Sequence, residues 1–217
     1  MNRIVRILAV GASALAMVSA AQAADLLVQQ PSIMPGFIES GGGNWDGIYL
    51  GAFGGYAWGT GVAGPDEWDV SGWLVGGTLG ANFTLTEGIV VGVVGDIAWA
   101  DINGSIEDVE STINWVGSVR GRLGFDGGAF MPYLTGGLGF AGATLDFDDG
   151  VATDTDSQTH IGWTAGAGVE FAATEEISLD LQYRYSDYGA KNYTLDGSTN
   201  TVGFTTHQLT AGVNLSF

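Results

Sequence analysis

Six charged residues fall on the polar side of segments in which apolar and polar residues alternate. They are Asp96, Arg120, Arg122, Glu170, Asp180 and Arg184. An alternation of period two places these residues on one face of their strands. Charges removed from water need partners, so we expect a network of arginines and carboxylates there. In a narrow barrel, the network would fill the interior. The alternative is a narrow porin-like diffusion channel, because rings of charged side chains also select ions.

A second group of charged residues is acidic and belongs to the longer connections between these segments. More than half of the 24 acids lie in or beside residues 60–69, 101–110, 144–157 and 187–205. The first interpretation is a solvated rim. The alternative is ligand, host-surface or divalent-cation binding, with the cation bridging to lipopolysaccharide phosphates. The third connection resembles a calcium loop only loosely, because its glycine comes one place early and no acid stands at the bidentate position. Its candidate ligands are Asp146, Asp148, Asp149, Asp154 and Asp156.

The sequence contains only weak candidates for a catalytic site. A lipid hydrolase needs a histidine beside a serine on one outward face. His207 is followed two residues later by Leu209, and His160 by Gly162. A carboxylate-pair protease would have to use Asp148 or Asp149 with a histidine. We therefore predict that the protein is not an enzyme, and we expect no cofactor.

Charge and cysteine content narrow the class of protein further. Cleavage of a leader with Arg3 and Arg6 leaves four of the six cations against 24 acids, a net charge of −20. Such a surface repels phosphate, which excludes a nucleic-acid partner. The sequence has no cysteine, so no disulfides brace the fold.

The amino terminus has the form of an export signal. Residues 1–23 contain a basic start, a short apolar run and a final Ala21-Gln22-Ala23, as signal peptides do. Residues 24–43 contain prolines and glycines, so we expect a flexible periplasmic lead-in. We expect residues 44–217 to form a single folded domain, the transmembrane β-barrel.

Eight alternating segments in residues 44–217 predict eight strands. Strand four is expected to direct Ile113 and Trp115 outward and Asn114 inward. The faces of strand one stay open, because Ile48, Leu50 and Ala52 compete with Tyr49 and Phe53. Aromatic residues toward the strand ends suggest interfacial girdles: Trp45, Trp58, Trp73, Trp99, Trp115, Trp163 and Tyr185.

These features predict an all-β fold, an eight-stranded antiparallel up-and-down transmembrane β-barrel. Closure is expected because an open edge in lipid would leave backbone groups unpaired. Short connections at 84–88, 126–130 and 172–176 alternate with the longer ones, which in outer-membrane barrels lie outside the cell. Both mature termini would then be periplasmic. The last segment ends on Phe217, with Leu209, Val213 and Leu215 on the same face.

Three stretches resemble the small outer-membrane β-barrel domain family of Gram-negative bacteria, porin-like surface antigens built like the membrane domain of OmpA. The resemblance spans about residues 44–217, and one departure is Gln182, where the family commonly has glutamate. It rests on residues 45–51 with Gly54-Gly55-Tyr56, on Pro132-Tyr133-Leu134 with Gly136-Gly137, and on residues 162–170 with Tyr183-Arg184-Tyr185 and Asp187-Tyr188-Gly189.

The resemblance implies an integral protein of the outer membrane with no shared catalytic residues. Its implied partners are outer-membrane lipid, lipopolysaccharide and the barrel-assembly machinery, which would recognise Phe217.

Overall fold

The strands of this protein form one closed sheet. The computed structural model describes residues 45–86, 88–106, 109–148, 153–195 and 198–217. Each strand pairs antiparallel with the next, and β8 pairs with β1 from Tyr49–Ser216 to Ala63–Val202. The predicted eight-stranded antiparallel barrel is confirmed. The strands are β1 (Gly47–Ala63), β2 (Asp66–Thr86), β3 (Ile89–Ile106), β4 (Val109–Phe125), β5 (Phe130–Asp148), β6 (Thr153–Ala172), β7 (Ile177–Leu195) and β8 (Ser198–Ser216).

Residues 1–44 lie outside the described residues, so the signal peptide and the lead-in stay predictions. Among the described residues, no helix is long and apolar enough to cross a membrane.

The strands are longer than the sequence predicts, and the four longer connections are mostly strand. Each strand has 17 to 21 residues, whereas roughly 9–11 tilted residues cross a bilayer. In the described residues, the prediction of long loops at 60–69, 101–110, 144–157 and 187–205 is therefore wrong. We call the end where β1 joins β2, β3 joins β4, β5 joins β6 and β7 joins β8 the hairpin end, and the opposite end the turn end.

Outward-facing side chains near the turn end form an apolar band. On β3, the band runs from Ile89 to Trp99. With a rise of about 3.3 Å per residue and a tilt of about 40°, this corresponds to a height of roughly 25 Å. At the upper edge of the band, Trp73 and Trp99 are 71% and 77% exposed. The prediction fails for Trp45, which is buried at the turn end and donates to Asp126 Oδ1 over 3.1 Å.

The faces of β1 and β4 are now defined. Ile48 and Leu50 are exposed in the band, whereas Tyr49 is buried in the interior. On β4, the expectation for two residues is wrong, because Ile113 is buried and Asn114 is exposed. The pairing of β4 with β5 shifts between Ile113 and Trp115. This irregularity reverses the alternation, as a β-bulge does.

Above the apolar band, toward the hairpin end, the strands continue with the opposite arrangement. We call this part the hairpin zone. Its outward positions are mainly polar and exposed, with Asp66, Asp69 and Asp101 among them. Its inward positions are mainly apolar, with Ser111 and His160 as buried polar exceptions. The apolar ones belong to one buried cluster, which includes Trp68, Val70, Ile102, Ile113, Val202 and Phe204. The barrel is therefore polar inside within the band and apolar inside above it.

Candidate functional site in the barrel interior

Asp96 lies at the centre of the buried polar layer inside the band. β3 carries it inward, and its side chain is 1% exposed. Its carboxylate accepts from Arg120 Nη2 on β4 at 2.7 Å and from Arg184 Nη1 on β7 at 3.0 Å. Ser118 Oγ donates to it at 2.5 Å. Two cations from different strands therefore share one carboxylate, which joins opposite walls of the barrel.

The two guanidinium groups have further partners, so most of their donors are used. Arg120 Nη1 donates to Thr135 Oγ1 and to Gln182 Oε1, each at 3.0 Å. Arg184 Nη2 donates to Gln208 Oε1 at 2.6 Å. Buried charges are tolerated only when they are paired and hydrogen-bonded in this way.

A second ion pair lies closer to the turn end. Arg122 Nη2 on β4 donates to Glu170 on β6. Glu170 also accepts from Ser178 Oγ and, at 2.7 Å, from Asn214 Nδ2. The Arg122 guanidinium carbon lies 3.8 Å from the centroid of the Tyr133 ring, which is a cation–π contact.

Asp180 is the predicted network residue that the structure leaves outside the ion pairs. Its Oδ1 accepts from Tyr133 Oη at 2.6 Å, and no arginine or lysine pairs with it among the described residues. Tyr133 Oη also accepts from Gln182 Nε2 at 2.9 Å. Tyr133 therefore links Asp180 to both arginine clusters.

The sequence predicts that the six charged residues face inward, but it does not predict which polar residues complete their hydrogen bonds. Ser118, Gln182, Gln208 and Asn214 also stand at inward positions of their strands. Their inward position in the alternation, together with side chains that can donate or accept hydrogen bonds, is the feature of the sequence that could have identified them. Which residues meet depends on the register between strands that are far apart in sequence.

The space left among these side chains is small. A cavity of about 40 Å³ lies between the two clusters, which is room for roughly two water molecules. Arg122 Nε is buried there without a hydrogen-bond partner.

Both ends of the polar layer are covered by apolar side chains. Toward the hairpin end lies the cluster around Phe204 and Ile102, which are 2% and 0% exposed. Toward the turn end, Trp45, Val90 and Met131 form a smaller buried cluster.

The predicted cation ligands do not form a loop in the described residues. Asp146 and Asp148 belong to β5, Asp154 and Asp156 belong to β6, and Asp149 lies outside the described residues. No group of three or more metal-ligating side chains is found in the described part of the chain. Cation binding stays a prediction, as does recognition of Phe217, which is 77% exposed.

Both histidines are held by aromatic neighbours. His207 faces outward, stacks on Trp58 with ring centroids 5.9 Å apart, and has its Nδ1 2.6 Å from Tyr183 Oη. His160 is buried in the hairpin zone, with its ring 5.3 Å from that of Phe204.

The closed barrel, its outward apolar band and its aromatic edge are the features of a protein that crosses an outer membrane. The chain belongs to the outer membrane protein β-barrel domain family, whose match covers residues 10–217. It is therefore an integral protein of the outer membrane of Gram-negative bacteria.

Two similar proteins support the assignment to this family. The chain is 34% identical over 214 residues to the 25 kDa outer-membrane immunogenic protein of Brucella abortus, and the match covers 96% of each chain. It is 35% identical over 176 residues to the 22 kDa outer membrane protein of Rhizobium leguminosarum bv. viciae, covering 81% of this chain and 79% of the relative.

The fold is also that of a solved structure. Neisserial surface protein A superposes with a TM-score of 0.51 and 21% identity, covering 79% of this chain and 98% of the other.

Proposed function

We propose that this protein is a structural, non-conducting barrel of the outer membrane that presents four acidic hairpins to the environment. The observation that carries the proposal is the apolar cluster that fills the hairpin zone. Water cannot pass through a close-packed apolar core, and Phe204 and Ile102 belong to that core. The ion pairs below it then serve to hold the walls together.

The alternative of a narrow porin-like channel has less support. Selective pores need charged groups that face a continuous water path. Here Asp96 on β3 binds arginine side chains from β4 and β7, and Glu170 on β6 binds one from β4. The cavity between the clusters is about 40 Å³. The same pairing supports a non-catalytic role, because these carboxylates are already engaged by buried partners.

The distribution of charge supports an orientation with the hairpin end outside the cell. The outward surface of the hairpin zone is acidic and polar, as a water-exposed surface is, and it rises above the Trp and Tyr edge of the band. The shorter connections 126–129 and 173–176 would then lie in the periplasm.

Single-channel recording in a planar bilayer tests the sealed interior. We expect refolded protein to give no steady openings, in a bilayer where a general porin refolded in parallel conducts. Steady, ion-selective openings that disappear on replacement of Arg120 or Arg122 would contradict the proposal and favour the channel.

A further inference from the structure

The ladder between β6 and β7 is incomplete in the hairpin zone. In the described residues, the ladder between β6 and β7 ends at the pair Trp163–Asp187. Both strands continue well beyond this pair, β6 to Thr153 and β7 to Leu195. By contrast, β8 stays paired with β1 up to Val202–Ala63. The seam between β6 and β7 therefore opens above the apolar band.

The opening coincides with a bend in β7. The pairing of β7 with β8 shifts between Asp187 and Ala190, and Gly189 adopts a φ of +64°. Asp187 Oδ1 accepts from the Gly189 amide at 2.9 Å, which fixes the bend. At the base of the seam, His160 Nδ1 lies 3.4 Å from Gly189 O.

Above the bend, residues 190–195 form a strand edge. They pair with β8 on one side, from Ala190–Gly203 to Leu195–Ser198. In an antiparallel pair, alternate residues direct their N–H and C=O groups away from the partner strand. The ladder with β6 does not reach these residues. Such an edge is a template for an added strand.

We propose that the edge formed by residues 190–195 accepts an extended segment of another protein by β-strand addition. An added strand would continue the two faces of the hairpin zone. Its inward side chains would meet the apolar cluster that contains Tyr188, Val202 and Phe204. Its outward side chains would lie beside Asn192 on β7 and Ser157 and Thr159 on β6, which are polar and exposed. The partner segment therefore alternates apolar and polar residues, and the net charge of −18 favours cations among the polar ones.

Charge argues against a second copy of this chain as the partner. The whole chain has a net charge of −18. Outside the predicted leader and the three buried arginines, Lys191 is its only lysine or arginine. Two such surfaces repel each other, whereas a cationic segment is attracted. The proposal rests on the proposed orientation of the hairpin end in one respect only, because that orientation determines from which side of the membrane the partner comes.

Titration of the refolded protein with short peptides tests the edge. The probe is a peptide of about eight alternating lysine and valine residues, a typical strand length. We expect saturable binding and at least tenfold slower hydrogen exchange at those amides of residues 190–195 that point away from β8. The matched peptide with glutamate in place of lysine should bind at least tenfold more weakly.

Two further peptides separate strand addition from charge attraction. One carries N-methyl groups on the lysine amides and the other on the valine amides. In strand addition, only one of these sets faces the β7 edge, so one peptide should lose at least tenfold in affinity and the other less than twofold. Equal affinities of the two methylated peptides, or binding without protection of residues 190–195, would overturn the proposal.

The Lys191→Glu variant should bind the parent peptide about threefold more tightly, through the added attraction. Weaker binding by this variant would also count against the proposal. A conducting barrel would leave these results unchanged, so the two proposals fail separately.

Discussion

Arg122 contacts its neighbours through charge, hydrogen bonds and an aromatic face at once. It pairs with Glu170, donates to Tyr49 Oη at 3.3 Å and lies over the Tyr133 ring. Removing one partner of a buried ion pair leaves the other charge uncompensated, which costs more than the pair contributes when intact.

We expect Arg122→Ala to lower the free energy of unfolding by about 3–5 kcal/mol. Urea unfolding in lipid vesicles, followed by tryptophan fluorescence, measures it. The variant Lys191→Ala, at an exposed position, should change the free energy by less than about 0.5 kcal/mol. The double variant Arg122→Met with Glu170→Gln should lose less than the single one. An unchanged unfolding midpoint for Arg122→Ala would refute the stabilising role of the network.

The contacts of Gln182 explain why glutamine can replace the family's common glutamate at this buried site. Its Oε1 accepts from Arg120 and its Nε2 donates to Tyr133 Oη. A glutamate could accept from the arginine but could not donate to the tyrosine in its ionised form. Arg184 does not depend on residue 182, because it pairs with Asp96 and Gln208. Parity predicts that Gln182 faces inward, but the sequence does not say which arginine it meets.

In strand β5, the adjacent glycines Gly136 and Gly137 have different surroundings. A Cβ at Gly137 would lie 2.2 Å from Val119 O, whereas the nearest atom to a Cβ at Gly136 is 3.9 Å away. Gly137 therefore allows β4 and β5 to approach closely beside Arg120, its partner in the register. Gly136 faces lipid with open space around it.

Gly137→Ala should destabilise the barrel by about 1–3 kcal/mol, because backbone must move to admit the methyl group. Gly136→Ala is the matched control and should be neutral or stabilising by up to about 1 kcal/mol, since alanine restricts the unfolded chain. Unfolding midpoints in urea compare the two. Equal effects of the two substitutions would contradict the close approach of β4 and β5.

The apolar band was predictable strand by strand, whereas the hairpin zone was not. In β8, Leu209, Val213 and Leu215 face outward as the alternation predicts. Farther up the same strand, Val202 and Phe204 are apolar but face inward. The period of two persists while the polarity of each face is reversed, so residues 187–205 do not continue the pattern of a lipid-facing strand.

The position of the reversal depends on long-range pairing. Ile113 and Asn114 exchange faces because of a local shift against β5, and nothing in the residues 109–118 alone indicates that shift. The contacts among Asp96, Arg120 and Arg184 depend in the same way on the closure of the barrel.

The whole molecule consists of one continuous barrel in two solvents. Within lipid, apolar side chains face out and the interior holds ion pairs. Above the lipid, the strands pack as in a water-soluble protein, with an apolar interior and an acidic exterior. This reversal accounts for strands of 17 to 21 residues, which exceed what the bilayer requires.

The most direct test of the reversal is the reactivity of single cysteines along β8, in a chain that has no native cysteine. Phe204→Cys and Thr205→Cys are neighbours in the hairpin zone, and Leu209→Cys lies in the apolar band. We predict that a water-soluble maleimide labels Thr205→Cys rapidly and Phe204→Cys at least tenfold more slowly. A fluorophore at Leu209→Cys should be quenched from within the lipid. Rapid labelling of Phe204→Cys in the folded barrel would mean that water reaches the interior, and would contradict the sealed barrel.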